Sequence, residues 1–229
     1  MTVESDTHGH RQVANAQKRF ALPQGARQII LVRHGSSVGP TLETVELGTL
    51  TITNPPLAED GHAQAEAVGR ALADTDIAAI FVTPLQRTRQ TADPLVQAVG
   101  IAPIVVDDLR EVHMGDFEHS FYEHAAARHP IIDRMFVEET WEVIPNAESA
   151  THFADRVQRG IRQVLDACGG GETAVLFSHA GTIAEICRQA TGSRAFAFMG
   201  VENASLSRLI VRADGSWQLR SFNEVSHLP

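Results

Sequence analysis

Two short apolar runs in this chain end in the same kind of turn. Ile29-Ile30-Leu31-Val32 leads into Arg33-His34-Gly35, and Val175-Leu176-Phe177 leads into Ser178-His179-Ala180-Gly181. An uninterrupted apolar run closed by a glycine turn predicts a strand buried on both faces, as in a parallel sheet covered by helices. In open sheets of that kind, ligands bind beyond the carboxyl ends of the strands. The pattern therefore predicts that His34 and His179 face one pocket from two strand ends.

The rest of the chain alternates strand and helix signals. Residues 78–82, 104–106 and 173–177 read as strands, and 59–73, 86–99, 150–166 and 182–189 as helices. In the third helix Phe153, Val157, Ile161, Val164 and Leu165 recur at helical spacing, with Ser149 as the expected N-cap and Gly169-Gly170-Gly171 as the expected stop. The close, 205–211 and 217–222 around Asp214-Gly215, reads as a strand pair about a turn. Such alternation predicts an α/β fold, a mostly parallel central sheet flanked by helices on both faces. A length of 229 residues, 43% hydrophobic and 21% charged, suits one such domain over residues 28–229. Residues 1–27 are polar and carry His8-Gly9-His10, and they are expected to form a flexible arm or a short surface helix.

Charge narrows the function. A net charge of −9 with no basic cluster argues against a nucleic-acid surface, which needs a positive stripe to meet phosphates. Cys168 and Cys187 show neither a disulfide framework nor zinc spacing, so a reducing cytoplasm is expected. No signal-type apolar segment opens the chain, and no run approaches the roughly 20 residues of a membrane helix, so no membrane partner is expected.

Phosphoryl transfer through a covalent intermediate needs a nucleophile, cations around the phosphoryl oxygens and an acid for the leaving oxygen. His34 can attack as a neutral imidazole, and Arg33 beside it offers a forked donor. Arg87, in the first turn of the helix after Thr83-Pro84-Leu85, is a second cation placed where a helix N-terminus also attracts anions.

Five segments then occur in order: Leu31-Val32-Arg33-His34-Gly35; Pro56-Leu57 with Gly61; Thr83 to Ala92; Leu109-Arg110-Glu111 with Gly115 to Glu118; and Ser178 to Ile183. Together they resemble the motifs of the histidine phosphatase superfamily, also called phosphoglycerate mutase-like, from about residue 27 to the end. The resemblance implies His34 as the phosphorylated nucleophile, Arg33, Arg87 and His179 as the phosphate pocket, and Glu111 as the proton donor, with no metal and no other cofactor. Glu118, Asp107, Asp108 and Asp116 lie close by in sequence as rivals for the acid. His179 is expected to serve best when protonated, and His34 when neutral, which would require different surroundings.

Several positions depart from the family pattern. Ser36-Ser37-Val38-Gly39-Pro40 lacks a Thr-x-x-Asn sequence, Ala58 stands where a hydroxyl cap is usual, and His119 and Ala180 replace glycines. His119, His124 and His129 are spaced by five residues, which on one helix would set successive side chains about 140° apart and speaks against a metal site. Phe121, Tyr122, Phe136 and Trp141 are either core residues or part of a cap over the pocket, formed by segment 112–148.

No Lys or Arg lies between Arg33 and Arg70, while Glu43, Glu46, Glu59 and Asp60 do, and Arg128 and Arg134 are the only basic residues from 111 to 148. A mutase must hold a carboxylate or a second phosphate as well. The expected activity is hydrolysis of a small phosphomonoester. The alternatives are a phosphoglycerate mutase-type phosphotransferase and a catalytically weak phosphate-binding relative. A homodimer is left open.

Overall fold

A computed structural model describes residues 20–39 and 43–229. Its main sheet has six strands in the order β5-β4-β6-β1-β7-β8. These are β1 (Arg27–Arg33), β4 (Ala79–Val82), β5 (Pro103–Val105), β6 (Thr173–Ser178), β7 (Leu206–Val211) and β8 (Trp217–Glu224). β5, β4, β6 and β1 pair in parallel, and β7 joins β1 and β8 antiparallel, so the sheet is mostly parallel as expected.

Alternate residues of the central strands feed two cores. Ile29, Leu31, Phe81 and Leu176 face α5 (Ala150–Asp166) and α6 (Ala180–Thr191), in a core that includes Phe153, Val157, Ile161, Ile183 and Ile186. Ile30, Val32, Ile80, Val82, Val175 and Phe177 face the other way, in a core with Val68 and Leu72 of α1 (Glu59–Leu72) and Leu95 of α2 (Gln86–Val99). Burial on both faces explains why these strands are apolar throughout instead of alternating.

Ser149 caps α5 by accepting the His152 amide, as expected. The stop differs. The C-cap is Ala167, in the right-handed helical region, and the glycine run forms the turn beyond it, with Gly171 at φ +94°. α6 begins two residues earlier than the sequence pattern indicated, with His179 itself at the N-cap.

Two pieces of structure carry weak sequence signals. β2 (Thr44–Leu47) and β3 (Leu50–Thr53) form a separate hairpin of four-residue strands, in which Val45, Leu47, Leu50 and Ile52 alternate with Thr44, Glu46, Thr51 and Thr53. α3 (Phe121–Ala126) and α4 (Pro130–Glu138) lie between the acidic loop and α5. Pro130 starts a new helix, so His124 and His129 do not share a helical wheel. Their rings approach to 4.9 Å, and Phe117 stacks on His124 at 3.9 Å. The 140° separation expected for one continuous helix therefore does not apply, and these imidazoles serve as packing and capping groups, His129 accepting the Ile131 amide.

Close approach of backbones demands glycine at Gly61 in α1. A Cβ there would lie 1.9 Å from the Ser36 carbonyl oxygen, the acceptor of the Ala58 amide. This contact seats α1 against the loop after His34. Residues 1–19 of the expected arm lie outside the described residues. Phe20 lies under the Arg220 guanidinium, 3.7 Å from ring centroid to Cζ.

Candidate active site

Parallel register brings the two histidines together. Val32 pairs with Phe177 and Arg33 with Ser178, so the next residue on β1 is His34 and the next on β6 is His179. The His34 amide donates to the Ser178 carbonyl at 3.0 Å, and the two rings lie 5.2 Å apart. Both are buried, His34 at 7% exposure and His179 at 0%.

Each imidazole has one nitrogen tied to the protein. His34 Nδ1 lies 2.8 Å from the Gly35 carbonyl, which can only accept, so Nδ1 carries the hydrogen and Nε2 keeps its lone pair. The His34 backbone is held in turn by Asn203, whose amide donates to the His34 carbonyl at 3.0 Å, and the Gly35 amide donates to Thr91. His179 Nε2 lies 2.9 Å from the Thr83 hydroxyl at the end of β4. Its Nδ1 is buried without a partner among the described residues.

The cations converge on the same place. Arg87, on the second residue of α2, is buried and donates from Nη1 to the Thr53 carbonyl at 3.2 Å. Arg33 donates from Nη1 to the Val201 carbonyl, and its Nε is buried without a partner among the described residues. Burial lowers the proton affinity of Arg87 below the ordinary arginine value, opposed by the charges of Glu111 and Glu118. Burial, Arg87 and Arg33 together hold His34 well below its ordinary pKa of 6.5. His179 is pushed the same way by burial, Arg87 and His34.

The contrast expected between the two imidazoles is therefore absent. They share one buried cationic environment, and both are neutral in the protein alone. Because their folded pKa values are depressed, the unfolded chain takes up protons first on acidification. The stabilisation they contribute is present above pH 6.5 and is lost as pH falls through the folded values. For activity, the acid limb of kcat/KM toward an aryl phosphate is expected to lie below pH 6.5. A midpoint at or above 6.5 in a pH–rate profile would mean that His34 is not the group that must stay neutral.

Glu111 and Glu118 occupy different settings. Glu111 Oε1 accepts the amides of Val112 and Thr182 at 3.0 and 3.1 Å, and Oε2 accepts only the Gly181 amide, at 3.1 Å. It thus sits on the N-terminus of the helix that His179 caps. Glu118 accepts the amide and hydroxyl of Thr53 and the amide of Met114. Since Thr53 also orients Arg87, Glu118 anchors the hairpin that supports the arginine. Asp107, Asp108 and Asp116 face elsewhere: Asp108 pairs with Arg159 and Asp116 with Asn146, while Asp107 opens a short 3-10 turn.

The five expected residues, Arg33, His34, Arg87, Glu111 and His179, are gathered at the carboxyl end of the sheet. Their supports Thr53, Thr83, Asn203 and Val201 were not singled out from sequence. Only Thr83 carried a local signal, through its place in the Thr-Pro-Leu turn. Trp141 is buried against Phe121 and Phe196, whereas Tyr122 is 72% exposed. Among the described residues no group of three or more His, Cys, Asp or Glu side chains is placed to hold a metal ion, and no helix is long and apolar enough to cross a membrane.

A buried histidine pair at paired strand ends, beside one arginine from β1 and one from α2, defines a class that comparison with known proteins makes specific. Residues 29–225 match the histidine phosphatase superfamily (branch 1), and the chain belongs to that family. The bifunctional protein Rv2228c of Mycobacterium tuberculosis is 33% identical over 178 residues, 76% of this chain and 49% of that protein, so the chain spans about half the length of this relative. A probable phosphoglycerate mutase, GpmB, of Erwinia tasmaniensis is 28% identical over 211 residues, 88% of this chain and 94% of that protein. Among solved structures, the mycobacterial glucosyl-3-phosphoglycerate phosphatase Rv2419c superposes with a TM-score of 0.72 at 24% identity, over 87% of this chain and 100% of that one.

Proposed function

We propose that the protein is a metal-independent hydrolase of small organic phosphomonoesters that works through a phosphohistidine on His34. One observation carries this reading: His34 Nδ1 is committed to the Gly35 carbonyl, so a neutral Nε2 points its lone pair into a buried site with two arginines. The unpartnered Arg33 Nε and His179 Nδ1 fit a phosphoryl group as donors. With the Thr83 hydroxyl donating to His179 Nε2, Nδ1 carries the hydrogen. A phosphoryl dianion in the site reverses the Coulomb sign on His179 and favours its protonated form.

In the first step the Nε2–phosphorus bond forms as the bond from phosphorus to the alcohol oxygen breaks, and Glu111 gives that oxygen its proton. Oε2, which accepts one amide where Oε1 accepts two, is the oxygen with room to carry it. In the second step Glu111 takes a proton from water, the hydroxide attacks phosphorus, and the Nε2–phosphorus bond breaks to release phosphate and restore His34. Arg33, Arg87 and His179 stabilise the equatorial charge throughout.

The wall beside Arg87 speaks about the alcohol. It is the β2–β3 hairpin, which carries no Lys or Arg and is joined to the Glu118 carboxylate through Thr53. A second anionic group there would find no cation on the hairpin and would lie near the Glu118 carboxylate, and leaving one charge unpaired in a partly buried site costs several kcal/mol. Esters of neutral or apolar alcohols are therefore the expected substrates. The test compares kcat/KM for an aryl or alkyl phosphate with that for 3-phosphoglycerate at equal pH and salt, with a chelator present. At least about a tenfold preference for the neutral ester is expected, equivalent to about 1.4 kcal/mol. Preference for 3-phosphoglycerate would overturn the neutral-alcohol reading, and its isomerisation primed by 2,3-bisphosphoglycerate would replace hydrolysis with the mutase activity for which the Erwinia tasmaniensis relative is named.

A further inference from the structure

Glu111 sits on a segment without regular secondary structure, between a 3-10 turn at Asp107–Leu109 and another at Gly115–Phe117. A proton donor must be held within a fraction of an ångström to act, and loops do not supply that stiffness themselves. The stiffness here comes from α5.

Arg156 of that helix is the largest fully buried side chain described in the protein, and all five of its N–H groups are used. Nε and Nη2 donate to the two oxygens of Glu148 at 2.6 and 2.7 Å. Nη1 donates to the carbonyls of Asp108 and Arg110, both at 2.8 Å, and the second Nη2 hydrogen to the carbonyl of Glu111 at 2.9 Å. Glu148 in turn accepts the His113 amide at 3.3 Å and His152 Nδ1 at 2.7 Å. The pair thus grips the backbone on both sides of Glu111.

The rest of α5 follows the same path. A Cβ on Gly160 would meet Leu109 Cγ at 2.5 Å, so glycine lets the helix lie directly on this segment, and Arg159 pairs with Asp108 at 3.1 Å. A planar fork matching three carbonyls and a bidentate carboxylate is a task for arginine, since an ammonium has three donors on a single atom. For stability alone, a buried pair of this kind is often replaceable by apolar side chains.

We propose that Arg156 and Glu148 are positioning residues that fix the Glu111 carboxylate at the N-terminus of α6 for proton transfer to the leaving alcohol. This rests on the reading of Glu111 as the proton donor. Arg156→Lys and Glu148→Gln are the variants, each checked for a cooperative unfolding transition, with the second keeping the proposal testable should the first fail to fold. kcat/KM, which covers all steps up to departure of the alcohol, is measured for an alkyl phosphate and for p-nitrophenyl phosphate.

Loss of register is expected to lower the alkyl value on the order of 10²-fold and the p-nitrophenyl value by less than about fivefold, because the nitrophenolate leaves without a proton. Adding either variant to Glu111→Gln is expected to bring no further loss. Amide hydrogen exchange at Val112 and His113 is expected to speed up about tenfold or more, while β1 and β6 stay unchanged. Equal losses for both substrates, or full activity in Arg156→Lys, would make the pair a structural charge neutraliser and overturn the proposal. Should Glu111→Gln itself treat both substrates alike, the acid assignment fails; amide exchange then decides alone, and unchanged protection at residues 112 and 113 rejects the clamp.

Discussion

Replacing His34 by alanine is expected to lower kcat toward an aryl phosphate by on the order of 10⁵-fold, because the covalent route has no other nucleophile in place. His179, its neighbour at 5.2 Å, has Nε2 occupied by Thr83, and its Nδ1 serves in the proposed mechanism as a donor. Rapid quench of the unaltered protein with a labelled substrate is expected to trap an acid-labile, base-stable phosphoryl group, and the His34→Ala protein none. Wild-type turnover in that variant, or a label recovered on another side chain, would remove His34 from the role of nucleophile.

Arg87→Ala is expected to cost about 10³-fold in kcat, equivalent to about 4 kcal/mol of barrier, the upper range for one preorganised charge-stabilising donor. A buried arginine held by the Thr53 carbonyl needs no reorganisation when charge develops on the phosphoryl oxygens. A second signature accompanies the loss. Arg87 is one of the charges that lower the pKa of His34 and of His179, so its removal raises both. The acid limb of the residual activity is therefore expected to move to higher pH than in the unaltered protein. Arg87→Lys is expected to recover the limb more fully than the rate, since it restores charge but not the fork. A loss below about tenfold with an unmoved acid limb would place Arg87 outside the pocket.

Much of this site was legible in the chain because its chemistry clusters at strand ends. The apolar runs before His34 and His179 announce β1 and β6 directly, since the middle of a strand buried on both faces favours apolar side chains at successive positions. The helix periods of α2 and α5 matched to the residue, as each buries one stripe on the sheet. The helices α3 and α4 escaped because their residues are largely exposed and short-range pattern has little to report there, whereas β2–β3 carries an alternation of Val45, Leu47, Leu50 and Ile52 confined to two four-residue strands. His119, His124 and His129 were read on one helical wheel; the helical path breaks between α3 and α4, and Phe117 packs against both His124 and His129.

What the sequence by itself determined was which five residues, Arg33, His34, Arg87, Glu111 and His179, would gather into one candidate site, and the α/β frame that brings them there. What only the tertiary structure decided was their state and their support. That His34 keeps its lone pair on Nε2 follows from a carbonyl 2.8 Å from Nδ1; that His179 is neutral, against expectation, follows from sharing a buried space with two arginines. The hold of Arg156 on the segment carrying Glu111 joins residues 45 positions apart. Such properties depend on burial and on contacts between distant parts of the chain, and those exist only once the sheet and its covering helices have closed around them.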